Sequence, residues 1–336
     1  MAKLPSYFET FLKNINPSRT YLEDQQSGQK TLRKRLVEDE EFSEYHVATF
    51  LQGSYARDTA IHPGKDVDVV VVTNLDLSTS PGDANALMKR FLMRHYSGKW
   101  APQNRSFGIS LSYVTLDVVL AVTNHLPTDE YQRLAKSLSL SEAQIDWRKH
   151  PLLIPDRDLD QWVETHPKEQ MEATTRLNKQ CDGFFVPLVK VFKWWRKEAY
   201  IQPKYPKGYI LERIVAENID STCDSYALHV FVLFNNIVNN YREIVRQGRI
   251  PFLPDPGNPK HNVAGRVEPE HFKVFYEKVS TALPAIRAAY EEQDIVKSAN
   301  LWRKIFGEAF PKPPSQVTNA SFPNRPVVPN KPAGFA

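Results

Sequence analysis

The sequence predicts an α/β (α+β) fold in two lobes, a first lobe built on a mixed sheet and a C-terminal helical lobe. Three observations carry that prediction. Valine-rich runs bounded by turn residues fall between residues 47 and 122, and long helical patterns dominate from about Met171. No repeat of fixed period runs through the chain, which argues against a solenoid or propeller. The 336 residues are 41% apolar and 24% charged, close to globular averages, so a wholly disordered or fibrous chain is excluded. That length suffices for two lobes with sizeable cores.

The elements follow in order. Ser18 is a plausible N-cap for a long polar helix running to Phe42, with Leu22, Leu32 and Leu36 as a sparse apolar stripe. So polar a helix is expected to lie across a surface. Strands are expected at Val47–Leu51, Val67–Val72 and Ser112–Val122, with a helix at Ala84–Tyr96 before the last of them. The later helices are expected at Phe184–Tyr200, Tyr209–Asn218, Ser225–Gln247, His271–Gln293 and Ile295–Phe310, and Pro284 should kink or split the fourth. A proline-rich loop, Pro251–Gly265, interrupts them. The lobe boundary is expected near residue 175, dividing 1–175 from 176–310. The final stretch, Pro311–Ala336, has seven prolines and no acidic residue and reads as a disordered tail.

Composition narrows the classes. Lys and Arg total 43 against 39 Asp and Glu, a net charge of +4 that is too mild for a nucleic-acid packager. A polyanionic substrate held in one basic pocket fits equally well. Two cysteines, Cys181 and Cys223, exclude a disulfide scaffold and a four-cysteine zinc site. The best apolar stretch, Tyr226–Val238, is shorter than the ~20 residues of a membrane span and contains His229, Asn235 and Asn236. Residues 1–5 show no apolar signal-peptide core. A soluble, cytoplasmic protein without membrane partners is expected.

The densest chemical signal is Leu51-Gln52-Gly53-Ser54-Tyr55-Ala56-Arg57-Asp58-Thr59-Ala60-Ile61, followed by Lys65-Asp66-Val67-Asp68-Val69-Val70. Gly53 lets a turn pass close to a ligand and Ser54 adds a hydroxyl, which together suit a phosphate. A bare Gly-Ser pair is most often an ordinary turn, but the carboxylates sharpen it. Asp66 and Asp68, two apart on an expected strand, project from one face and repel unless a cation sits between them. Oxygen-only ligands favour Mg²⁺ or Mn²⁺ over zinc. Asp117 interrupts the apolar strand Val114–Leu120, so either a cation or a basic side chain must meet it. Lys190 and Lys193, at i and i+3, share a helical face that suits phosphate as well as solvent.

A Gly-Ser turn, an Asp-x-Asp and a single later Asp resemble the nucleotidyltransferases of the DNA polymerase β superfamily. Leu188-Val189-Lys190-Val191-Phe192-Lys193-Trp194-Trp195 and Pro206-Lys207-Gly208-Tyr209-Ile210-Leu211-Glu212 resemble the oligoadenylate synthase and cyclic GMP-AMP synthase branch, and within it the bacterial CD-NTases. The resemblance covers about residues 1 to 310. It implies a polymerase β-like catalytic lobe in which Asp66, Asp68 and Asp117 hold two Mg²⁺ ions, with Mn²⁺ as a substitute. It further implies that Gln52, Gly53 and Ser54 grip a triphosphate, that Lys190 and Lys193 face it, and that Tyr209 stacks on a nucleobase. The family often has serine before that tyrosine, where this chain has Gly208. Phe252–Pro259 with Asn262 and Val263 resembles a family segment beside the active site.

The function implied is synthesis of a cyclic di- or trinucleotide second messenger for anti-phage (CBASS) signalling, from NTP substrates that include ATP. The missing zinc insertion implies no DNA requirement. A nucleotidyltransferase acting on an RNA end, a protein or a small molecule is the enzymatic alternative, and a nucleotide-binding scaffold is the non-enzymatic one. Three clustered carboxylates argue against the scaffold. Some CD-NTases are encoded with a ubiquitin-transferase-like partner that captures a flexible C-terminus, and Ala333-Gly334-Phe335-Ala336 resembles such a handle.

Overall fold

The computed structural model describes residues 2–64, 66–76, 78–123, 149–199, 202 and 205–314. The tail expected to be disordered lies outside these residues from 315 onward.

Helix α1 (Pro5–Ile15) precedes α2 (Arg19–Glu38), whose N-cap Ser18 accepts a hydrogen bond from the Tyr21 N–H. A seven-stranded mixed sheet is built from β1 (His46–Leu51), β2 (Val67–Thr73), β3 (Trp100–Pro102), β4 (Phe107–Ser110), β5 (Thr115–Thr123), β6 (Leu152–Asp156) and β7 (Gln161–Thr165). Its main path runs β1-β2-β5-β4-β3, with β6 joining the end of β5 and β7 joining β6. Only β2 and β5 pair in parallel, among the described residues. A short helix, α3 (Gly53–Ala56), follows β1, and α4 (Pro81–His95) follows β2.

The period-two pattern of β2 and β5 explains what covers each face. Val67, Val69 and Val71, with Leu116, Val118 and Leu120, pack against Leu32 and Leu36 of α2 and Leu87, Met88 and Phe91 of α4. The polar helix α2 is thus not a bystander on a surface, because one stripe of it is sealed on the sheet. Val70, Val72, Val119 and Ala121 face the other way, with Phe50 and Ile154. Asp68 and Asp117 fall on this second face by parity.

Among the described residues, the remainder is mainly helical: α5 (Pro167–Gln180), α6 (Phe185–Glu198), α7 (Tyr209–Asn218), α8 (Tyr226–Arg246), α9 (Pro269–Glu291) and α10 (Ile295–Phe306). The expected loop 251–265 carries a small hairpin, β8 (Pro254–Asp255) with β9 (Asn258–Asn262). Helix α6 is apolar around most of its circumference, the signature of a central helix. Pro284 does not split α9, which runs unbroken across it for 23 residues. Ile286 and Ala289 beyond the proline are fully buried with Trp302 and Phe306 of α10, so packing holds the helix where the missing N–H would loosen it.

Helix α1 belongs to this helical core rather than to the sheet. Its Phe8 meets Trp302, Phe306 and Phe310 edge-on at centroid distances of 5.3, 6.4 and 5.3 Å, and the Ala2 N–H donates to Glu292 O at 3.0 Å. Among the described residues, no helix is long and apolar enough to cross a membrane.

Candidate active site

Asp68 and Asp117 stand directly opposite each other in the β2–β5 register. The parallel pairing brings together two carboxylates far apart in sequence, at the strand ends where the apolar rows stop. Asp66 is exposed one residue before β2 begins and acts electrostatically on both. Burial, reinforced by Asp117, pushes the Asp68 carboxyl up to about 6 against the pull of Arg57. Burial and then Asp66 also raise Asp117, although Gln103 Nε2 donates to its Oδ1 at 2.8 Å.

The turn after β1 lies on Asp68. Gly53 adopts φ +71°, and a Cβ there would fall 1.7 Å from Asp68 Oδ2. Only glycine lets the backbone come this close. The Gln52 N–H donates to Asp68 O at 2.9 Å, pinning the turn to β2. Gln52, Gly53 and Ser54 are all partly exposed beside the carboxylates.

The two lysines of α6 point at the segment that follows this turn, but they differ in what they meet. Lys190 Nζ donates to Asp58 Oδ1 at 2.8 Å, and the Asp58 side chain is 83% exposed. Lys193 Nζ is enclosed: it donates to Glu212 Oε1 at 2.7 Å and to Thr59 O at 3.0 Å. Glu212, on α7, also receives Arg57 Nε at 2.8 Å and the Thr59 hydroxyl at 2.8 Å. Burial alone would raise the Glu212 carboxyl, but Lys193 and Arg57 outweigh it and hold it well below the usual range.

Tyr209 opens α7, with the Arg57 guanidinium 4.6 Å from its ring centroid. Its hydroxyl is buried and has no hydrogen-bond partner among the described residues. Gly208, before it, has φ +53°, where a serine side chain would be strained, and this accounts for the glycine. A cleft of about 610 Å³ opens here, a size that suits a small-molecule ligand. Asp66 and Arg105 line it from the sheet lobe, Tyr205 and Tyr209 from the helical lobe, and Asp255 and His261 from the β8–β9 hairpin.

Sequence reasoning missed Arg57, Thr59 and Glu212 as a unit. Arg57 and Thr59 lay inside the quoted Gly-Ser motif, and Glu212 closed the separate quoted motif that begins at Pro206, with nothing to link the two. Gln103 gave no signal at all.

The carboxylates suit a hard divalent cation, since every donor is oxygen and they lack matching positive charge. Arg57 counterweights Asp68 from within its own pairing to Glu212, and Asp117 is helped by a neutral amide. Among the described residues, no three acidic, histidine or cysteine side chains are already drawn together in a metal-holding group.

Residues 2–136 match the family described as the Second Messenger Oligonucleotide or Dinucleotide Synthetase domain. The chain is 39% identical to the cyclic AMP-AMP-GMP synthase of Enterobacter hormaechei subsp. hoffmannii (strain UCI 50), over 99% of this chain and 100% of that relative. It is 34% identical to the cyclic AMP-AMP-AMP synthase of Acinetobacter sp. (strain ATCC 27244 / 9458), over 98% and 96% of the two chains. Its fold is shared with E. coli MS115-1 CdnC, solved with ATP, at a TM-score of 0.66 and 18% identity over 92% of this chain and 100% of that one. With such identity sustained along the whole length of its relatives, the chain belongs to the bacterial CD-NTases, the nucleotidyltransferases that make cyclic di- and trinucleotide second messengers.

Proposed function

We propose that this synthase joins ATP and a further NTP into a cyclic trinucleotide, using Asp66, Asp68 and Asp117 as its metal-binding carboxylates. The observation that carries the site assignment is the register of Asp68 opposite Asp117, with the Gly53 backbone laid against Asp68. The AMP-AMP-GMP and AMP-AMP-AMP products named for the two relatives support a three-membered ring containing at least two adenylates. The ATP-bound CdnC structure supports ATP as a substrate.

Two Mg²⁺ ions, or Mn²⁺ in their place, held by the three aspartates would neutralise charge on the triphosphate and on the attacking hydroxyl. The chain's own residues do the positioning. The turn Gln52-Gly53-Ser54 presents backbone and hydroxyl groups to the triphosphate. Lys190 exchanges its exposed partner Asp58 for a phosphate oxygen, a charge-assisted bond in either case. Lys193 supports the same grip from beneath, through Thr59 and Glu212. Tyr209 offers the ring face not covered by Arg57 to a base. A sugar hydroxyl attacks the α-phosphorus of the next NTP and pyrophosphate leaves, so catalysis rests on alignment and charge neutralisation.

In this reading residues 1–175 form the catalytic lobe, with α1 handed across to the core of the helical lobe, 176–310. The tail, 311–336, serves as a handle for a ubiquitin-transferase-like partner, and the product serves anti-phage signalling of the CBASS type.

The test is incubation of the purified chain with all four NTPs and Mg²⁺, with products identified by mass spectrometry after phosphatase treatment. The wild type should yield a phosphatase-resistant cyclic trinucleotide. The double variant Asp66→Asn/Asp68→Asn should release no pyrophosphate while keeping its circular dichroism spectrum. Wild-type turnover by that variant would sink the metal assignment.

A further inference from the structure

The proposed site is assembled from two lobes. The carboxylates and the Gly53–Ser54 turn stand on the sheet, whereas Lys190 and Tyr209 stand on α6 and α7. Something must fix the register between these halves, because a reacting geometry tolerates little displacement.

One buried carboxylate is shared between them. Glu212 is 2% exposed and lies on α7 one turn after Tyr209. From the sheet lobe it receives the Arg57 guanidinium at 2.8 and 3.2 Å and the Thr59 hydroxyl at 2.8 Å. From α6 it receives Lys193 at 2.7 Å. Arg57 and Thr59 in turn hold the turn itself: the Arg57 N–H donates to Gly53 O at 3.2 Å and the Thr59 N–H to Ser54 O at 2.8 Å. Arg57 also stacks over Tyr209. From the segment after the phosphate turn, Arg57 and Thr59 thus reach α7 through one buried carboxylate, beside the separate Lys190–Asp58 bridge to α6. A core built for stability alone would do as well with apolar residues of the same volume, whereas a charged cluster has directional contacts that specify one arrangement.

We propose that Glu212 is a positioning residue, a clasp that sets the turn Gly53–Ser54 at a fixed offset from Lys190 and Tyr209. This rests on the site assignment given above. Its signature is loss of turnover in protein that remains folded and still binds nucleotide.

The experiment compares Glu212→Asp and Thr59→Val with Asp39→Asn and Asp68→Asn, all in the full chain with ATP, GTP and Mg²⁺. Glu212→Asp keeps the charge but withdraws it by one methylene. Thr59→Val keeps the shape and removes one hydroxyl. Asp39 is a buried carboxylate held by Arg94, His95 and the Phe42 N–H, near the end of β1 away from the turn, so its variant controls for general destabilisation. For Glu212→Asp, kcat should fall at least tenfold, toward the roughly hundredfold that a 1 Å misplacement costs. KM for ATP should change less, and Thr59→Val should show a smaller fall in the same sense. Asp39→Asn should keep kcat at an equal drop in melting temperature. Full kcat in Glu212→Asp or Thr59→Val, or a parallel loss in Asp39→Asn, overturns the clasp. Turnover by Asp68→Asn would instead overturn the site assignment, which keeps the two failures apart.

Discussion

Asp68 shows most directly how function strains the fold. Its carboxyl is pushed up to about 6, through burial first and Asp117 second. A carboxyl raised on folding opposes folding once ionised, so the penalty is absent below about pH 4 and complete above about pH 7. Asp68→Asn should therefore raise the unfolding free energy by about 1–3 kcal/mol at pH 7.5 in the presence of a chelator, by urea titration. That gain should vanish as the pH falls towards 4, and adding Mg²⁺ should shrink it by stabilising the wild type. Equal stability of the two proteins at pH 7.5 would contradict the picture. The sequence made the Asp-x-Asp and Asp117 legible because charge in a valine-rich strand is conspicuous. It could not show that Asp117 stands opposite Asp68 rather than one residue away, since register across a long crossover is set by the folded sheet.

At the scale of elements, legibility followed periodicity. The apolar helices α6 to α10 and the valine strands β1, β2 and β5 emerged within a few residues of their expected bounds. The helix α1 and the short strands β3, β4, β6 and β7 did not, being brief or half exposed and drawing their stability from neighbours rather than from their own pattern. Helix α6 shows the same limit on function. The spacing of Lys190 and Lys193 put both on one face, but only the structure separates an ammonium with an exposed partner from one enclosed by Glu212 and Thr59. The two should therefore fail differently. Lys190→Ala should weaken NTP binding by ~1.5–3 kcal/mol with little change in melting temperature, as titrated with a fluorescent ATP analogue. Lys193→Ala should lower the melting temperature as well, because it strips Glu212 of a buried partner. Tyr209→Ala should weaken all four NTPs alike, as stacking does. Unchanged affinity in both Lys190→Ala and Tyr209→Ala would reduce these residues to helix packing.

For the whole molecule, Asp68 and Asp117 stand on the sheet, Lys190 and Tyr209 on the helices that follow it, and the tail stands apart in sequence. Deleting residues 320–336 should leave turnover by the purified chain intact and abolish any covalent adduct formed in cells that also supply the conjugating partner. Loss of turnover on truncation would tie the tail to the active site. The packing of α1 against α10 bears on how such an enzyme is made. Phe8 and Phe11 pack on Tyr226 and Trp194 but complete their aromatic cluster only with Trp302, Phe306 and Phe310, and Ala2 pairs with Glu292. At a synthesis rate of about 5–20 residues per second, the carboxylates leave the ribosome roughly 10–40 s before the helices that close the N-terminus. During that interval the nascent chain lacks α10, and the aromatic cluster around α1 is incomplete. A ribosome that stalls before residue 295 therefore leaves Phe8 and Phe11 without the three aromatic side chains that finish their packing.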